Sequence, residues 1–306
     1  MKVLVTGGAG FIGSHIVDKL LAEKADVFVL DNLSTGQKEN IPSTVPLWEM
    51  DIRSPEIIPK IAQENFDYII HQAAQTSVPY SIEHPIEDCQ TNILGLVHLL
   101  EAARQSKVKR VLFASTAAIY GDALTLPIKE EAPKMPLSFY GLSKLTEESY
   151  LDLYWKNFGI EYVVLRYSNV YGERQGAGGE GGVVDIFTRG LLAEKRLNIF
   201  GDGEQTRDFI HGIDVASANW QALLTKYPNQ AYNVSSQTEI TLNDFIKVLD
   251  EIWGEKITPH YQPPREGDIV RSVLDSSKAR TQLEWEPKIE FKQGLTQLLD
   301  YLKSHC

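Results

Sequence analysis

A chain of 306 residues, 43% apolar and 23% charged, is long enough for one large or two modest domains and has the make-up of a soluble globular protein. No stretch approaches the roughly 20 apolar residues of a membrane-spanning helix, and a net charge of −11 argues against nucleic-acid or anionic-membrane partners, which favour basic surfaces. Cys89 and Cys306 lie far apart without a CxxC or ligand-like spacing, so neither a disulfide framework nor a metal site is expected.

The chain opens MKVLVTGGAGFIG, an apolar strand broken early by glycines, with no leader-like apolar region and no small-residue cleavage site, and a cytoplasmic location is expected. Strands are predicted at 2–6, 26–30, 47–50, 68–71, 110–115 and 162–167, with helical patterns between most of them. These runs are rich in Val, Ile and Leu without polar alternation, as in strands buried on both faces of a parallel sheet. Strand and helix in this rhythm imply right-handed βαβ units and an α/β, Rossmann-type doubly wound sheet. The character changes after Asn169, where YGERQGAGGEGG reads as a linker or a mobile active-site loop. Helices are predicted at 242–252 and 291–303, and 208–215 reads as another strand-to-helix joint. The expected division is a dinucleotide domain of residues 1–170 plus about 208–234, and a smaller α/β domain of residues 171–207 and 235–306.

TGGAGFIGSH follows the first strand and opens a helix, with Gly7, Gly10 and Gly13 at GxxGxxG spacing. Glycines permit the tight turn and the close approach of a pyrophosphate, which then rests on the N–H groups and positive dipole end of the helix. Asp31 ends the second strand, where an acid accepts both ribose hydroxyls of adenosine and repels a 2′-phosphate, so NAD is preferred over NADP. Asp51 and Ile52 end the next strand and suit the adenine edge; capping of the following helix is the other use for Asp51.

Tyr140 and Lys144 stand in YGLSK, and positions i and i+4 of a helix share a face. A free tyrosine titrates near pH ~10, and an ammonium within about 4–6 Å favours the phenolate, so this pair reads as a general base usable nearer neutral pH. Two hydroxyls, Ser115 and Thr116, end the strand before it, followed by Ala117 and Ala118.

With these motifs together, and with LDNLSTG, HQAAQTSV, RYSNVYG, FGDGEQTRDFIHGIDVA and PREGD besides, the chain resembles the extended short-chain dehydrogenase/reductase family over nearly its full length, most closely the UDP-glucose 4-epimerases. The resemblance implies that Tyr140 is the base on the sugar 4-hydroxyl, that Lys144 holds the nicotinamide ribose, and that Thr116, four positions before the tyrosine of the YG pair, is the orienting hydroxyl, leaving Ser115 to bond locally. It places Phe11, Ile12, Asn32, Ala73 and Tyr167 on the cofactor too. Asn92 is to support the lysine or to serve as a buried structural amide.

For the nucleotide sugar, the resemblance implies Arg207 and Arg265 on the diphosphate, a task suited to the guanidinium fork. Asp268 falls on the uridine ribose, Asn169 near the phosphates, and Ser272 beside the sugar C2 substituent, its small size favouring N-acetylated sugars. Dehydratases and decarboxylases of the family carry an acid or base where this chain has Ala117 and Ala118, which transfer no proton. The expected activity is therefore 4-epimerisation of UDP-glucose and UDP-galactose. A UDP-glucuronate 4-epimerase, a 4-keto-sugar reductase and a non-catalytic NAD sensor are the alternatives. The resemblance further implies a homodimer packed through the helices near 84–106 and 139–158.

Overall fold

The computed structural model describes residues 1–176, 182–264 and 269–305. The first half alternates strand and helix: β1 (Lys2–Thr6), α1 (Phe11–Ala22), β2 (Asp26–Asp31), β3 (Leu47–Glu49), α2 (Ile57–Ala62) and β4 (Tyr68–His71). Two short helices, α3 (Val78–Glu83) and α4 (Pro85–Cys89), lead through a π-helical turn (Gln90–Leu94) into α5 (Gly95–Ser106). Then come β5 (Arg110–Thr116), a 3-10 turn (Ala117–Tyr120), α6 (Phe139–Phe158) and β6 (Glu161–Tyr167).

All seven strands of the main sheet, ordered β3-β2-β1-β4-β5-β6-β10, run parallel; β10 (Gln230–Val234) joins it from the second half of the chain. The apolar runs explain the two helix layers. Successive strand side chains point to opposite faces, so Val3 and Val5 pack with Ile16, Val17 and Leu20 of α1, whereas Leu4 packs with Ile57 and Ile61 of α2 and Leu99 of α5. The sheet is the doubly wound Rossmann arrangement expected of such strands. Strand β5 runs one residue beyond the predicted 110–115, which brings Thr116 into register beside Tyr167.

The second half contributes β7 (Asn169–Tyr171), α7 (Val183–Leu192), β8 (Asn198–Phe200), β9 (Thr206–His211), α8 (Gly212–Leu224), β11 (Glu239–Thr241), α9 (Leu242–Trp253), β12 (His260–Gln262), α10 (Ser277–Gln282) and α11 (Phe291–His305). Strands β11, β9 and β7 form a small sheet, and β12 pairs with β8. An aromatic core fills this region, where Phe209 stacks on Phe291 and Phe187 on Phe245 at centroid separations of 5.0 and 5.4 Å. Among the described residues no helix is long and apolar enough to cross a membrane, and Cys89 is a free, exposed thiol.

A buried charge pair fixes α6 on the sheet. Arg166 of β6 grips Glu148 of α6 with two guanidinium bonds, Nε to Oε1 at 3.0 Å and Nη2 to Oε2 at 2.7 Å, and its Nη1 donates to the Tyr120 hydroxyl and the Glu130 carbonyl. Both side chains are almost wholly buried. Removing one member strands the other without a counter-charge, so Glu148→Ala should destabilise the fold by about 3–5 kcal/mol. Urea denaturation of the variant against the wild type measures this directly.

Candidate active site

The cleft opens over the carboxyl ends of β1, β2, β4, β5 and β6, where an open parallel sheet places its ligands. Its floor is a backbone turn that only glycine permits. Gly7 has a left-handed φ of +69°, and a Cβ built on Gly13 would fall 2.0 Å from the Gly7 carbonyl oxygen, so the first turn of α1 rests directly on the end of β1. No side chain caps α1, and Phe11, Ile12 and Gly13 line the cleft, which leaves a group of helix N-terminal donors there for an anion.

Asp31 closes β2 beside this turn. Its carboxylate is 7% exposed and accepts from the Ala9 and Leu33 amides at 3.0 and 2.8 Å. Burial raises its pKa, and those two amides oppose the rise. Ala73 presses against the same turn: its amide nitrogen lies 2.5 Å from where a Cβ on Gly7 would stand. Asp51 accepts three bonds from the Arg53 side chain, the shortest at 2.6 Å from Nη2, together with one from Asn32 at 3.1 Å. Those hydrogen bonds, Arg53 first, hold its carboxyl at about 2. Ile52 also lines the cleft, and Tyr167 does so with its hydroxyl accepting from Gln72 and Asn219. Burial pushes the Tyr167 phenol up to about 12.

The reactive end is built by β5 and α6. Ser138 caps α6, its hydroxyl accepting from the Gly141 amide at 3.1 Å. One turn in, Tyr140 and Lys144 share a face that lines the cleft. Thr116 accepts from the Ala118 amide at 3.1 Å, and it and Tyr140 both line the cleft, its hydroxyl favouring the Tyr140 phenolate. Ser115 turns the other way and donates to Glu148 at 2.6 Å, a long-range bond to α6 rather than a local one.

The lysine does not lower the tyrosine in this structure. Burial pushes the Tyr140 phenol up to about 12, the Thr116 bond opposes this, and Glu147 and Asp88 add to it. Lys144 instead faces the core: its Nζ lies 3.2 Å from Glu147 Oε2 and 4.6 Å above the Phe113 ring.

Asn92 is fully buried in the π-helical turn, where it receives the Gln75 amide at 2.9 Å and donates to the Gln75 carbonyl, Asp88 and Ser143. It is absent from the described cleft lining, as are Arg207 and Ser272. Arg207 donates to the carbonyls of Thr206 and Ile269 at 2.8 Å each, and Ser272 is half-buried near them. Asn169 lines the cleft and donates to the Asp208 carbonyl at 3.4 Å. Arg265 and Asp268 lie outside the described residues. Two cleft arginines went unread in the sequence, Arg53 and Arg174, the latter paired with Asp18 of α1 at 2.6 Å. Arg53 directly follows the DI pair after β3, and Arg174 stands two residues after the NVYG motif, so position relative to those motifs is the available signal. Among the described residues no cluster of acids, histidines and cysteines suits a metal.

A glycine turn under an uncapped helix, an acid closing β2, and a threonine, tyrosine and lysine on β5 and α6 together define an enzyme of the short-chain dehydrogenase/reductase type. Residues 3–235 match the NAD dependent epimerase/dehydratase family, and the chain belongs to it. NAD is its cofactor, and the donors at the start of α1 and the carboxylate of Asp31 fit that group. A putative UDP-glucose 4-epimerase of Methanocaldococcus jannaschii is 44% identical, with 99% of each chain covered. The crystal structure of a UDP-glucose 4-epimerase from Thermotoga maritima with UDP-glucose superposes with a TM-score of 0.96 at 42% identity, covering 100% of this chain and 99% of that one. A UDP-N-acetylglucosamine 4-epimerase from Methanobrevibacter ruminantium in complex with UDP-N-acetylmuramic acid gives a TM-score of 0.94 at 32% identity, covering 100% and 99%.

Removing the Asp31 carboxylate should cost NAD its ribose partner while lifting the repulsion of a 2′-phosphate. Asp31→Ala is expected to shift the ratio of NAD to NADP affinity by about tenfold or more toward NADP, as titration calorimetry with each dinucleotide will show.

Proposed function

We propose that this protein is a UDP-sugar 4-epimerase that interconverts UDP-glucose and UDP-galactose and also accepts UDP-N-acetylhexosamines. The observation that carries the reading is that Thr116, Tyr140 and Lys144 line one cleft beside a turn whose residues after Thr116 are Ala117 and Ala118. The site has a base and an orienting hydroxyl for the 4-hydroxyl, and the two positions after that hydroxyl are alanines, which neither eliminate water nor take a second proton. The likeness to UDP-sugar epimerases over the whole chain supports the substrate class.

Bound NAD supplies reversible two-electron chemistry, accepting a hydride from C4 and giving it back. The protein's part is proton handling and orientation. Tyr140 takes the 4-hydroxyl proton, with Thr116 directing the hydroxyl toward it. A phenol near 12 is a poor base at neutral pH, so it works only once positive charge lies beside it. That charge comes from Lys144, turned from Glu147 to the cofactor ribose, and from the nicotinamide cation. The 4-keto sugar then turns about its bond to the diphosphate and presents its other face, and Tyr140 returns the proton.

Arg207 and Arg265 are assigned to the diphosphate, Asp268 to the uridine ribose and Asn169 to the phosphate side of the cleft. Ser272 leaves room beside C2. Asn92 acts on the cofactor end indirectly, through the Gln75 backbone and Ser143. In this reading residues 1–170 with about 208–234 hold the cofactor, and 171–207 with 235–306 hold the nucleotide sugar. The chain forms a homodimer through α4, the π-helical turn and α6, where Ile86, Leu94, Leu142 and Leu153 are exposed apolar side chains in need of a partner.

Purified protein given UDP-galactose, UDP-N-acetylgalactosamine or UDP-glucuronate without added cofactor should convert the first two to their 4-epimers by NMR, with no net NADH. Conversion of UDP-glucuronate alone would replace the substrate assignment, and conversion of none would end it. Tyr140→Phe should lose at least about 100-fold in turnover while NAD stays bound, which separates an enzyme from a cofactor sensor. For the dimer, Leu153→Glu should give a monomer in sedimentation velocity.

A further inference from the structure

The face of α6 that carries Tyr140 and Lys144 continues one turn further to Glu147. Its carboxyl is 0% exposed, and neither oxygen has a hydrogen-bond partner; Oε2 lies 3.2 Å from Lys144 Nζ in an ion pair without hydrogen-bond alignment. Lys144 itself is 3% exposed. Withdrawing a carboxylate from water is costly unless hydrogen bonds replace its hydration, and here they do not. The other charges make matters worse for the anion. Asp88 from α4 and Glu148 from α6 both repel it, and Lys144 alone attracts it. Across the Phe113 ring from β4, His71 is kept neutral, lowered to about 3 by burial and then by Lys144. With burial first and Lys144 opposing, the Glu147 carboxyl rises to about 7.

We propose that Glu147 is a positioning residue that competes with the cofactor for Lys144: when ionised it holds the ammonium against the core, and when neutral it releases it to the cofactor ribose. The inference rests on the reading of Lys144 as the ribose ligand. Its balance is simple. Cofactor binding that draws Lys144 away removes the only counter-charge of Glu147, raises that acid's pKa further and takes up a proton. Cofactor is then held best below the pKa of the acid and less well as pH rises through about 7. The same neutralisation removes one of the anions that push Tyr140 upward, so retention of the cofactor and strength of the base respond together.

The test follows NAD release from purified holoenzyme with no sugar present, by rapid filtration and quantification of bound NAD. From about pH 6 to about pH 8.5 the wild-type rate should rise about tenfold, the factor that accompanies a pKa displacement of one unit. Glu147→Gln should release slowly and without that slope, and Glu147→Asp should restore one. Lys144→Met, which removes the object of the competition, should also be flat. A flat wild-type profile overturns the proposal, as does a wild-type slope retained in Glu147→Gln or in Lys144→Met. Should Glu147→Gln fail to fold by circular dichroism, the wild-type and Lys144→Met profiles decide. Since no sugar enters the measurement, failure here leaves the epimerase reading standing, and failure of epimerisation leaves this result intact.

Discussion

The bidentate bond between Arg166 and Glu148 fixes α6, which carries Tyr140 and Lys144, against the sheet. It ties the middle of α6 to β6, and the Ser115 hydroxyl of β5 adds a third strand-end contact to the same carboxylate. Because successive strand residues face opposite ways, committing Ser115 to Glu148 leaves Thr116 to face the start of α6 and Tyr140. The same guanidinium holds Tyr120, whose hydroxyl donates to Asn233 of β10 at 2.8 Å. The 3-10 turn bearing Ala117 and Ala118 is thus pinned from below by a structural network. The placement of Thr116 and Tyr140 thus depends on this buried charge network.

Above that anchor, α6 carries a local imbalance of charge. Tyr140, Lys144 and Glu147 lie on one face, with Asp88 close by, so two carboxyls oppose a single ammonium in a region with little water to screen them. The phenol is held protonated as a result. Positive charge brought beside these groups would relieve both the acids and the tyrosine.

What the sequence made legible was local in pattern. The Val, Leu and Ile runs of β1, β4 and β5 announced strands covered on both faces, and the glycine turn with Asp31 announced the dinucleotide end. Thr116 and Ser115 differ in their partners, the Ala118 amide for one and Glu148 for the other, and the Ser115 partner lies 33 residues away in sequence. What remained hidden was non-local. Lys144 and Glu147 at i and i+3 look like an ordinary solvated pair, and only the packing of Phe113 and α4 over them shows that both are buried. Asn92 is aimed by a π-helical turn, whose extra residue shifts the side chain relative to a regular helix, and no local propensity signals it. Arg207, expected on the diphosphate, donates to two backbone carbonyls, a non-local contact that QTRDF alone does not show.

The alanines after Thr116 illustrate how a scaffold of this kind restricts its chemistry. The turn that carries them is fixed by the Thr116 hydroxyl, by the Tyr120 network and by packing of Ile119 against Ile128 and Leu274. Ala117 packs against the same apolar cluster, and neither position 117 nor 118 carries a proton-transferring side chain. The side chains at these two positions therefore limit the proton chemistry the turn can offer. In this chain both are methyl groups, while Thr116, Tyr140 and Lys144 beside them carry groups that can exchange a proton.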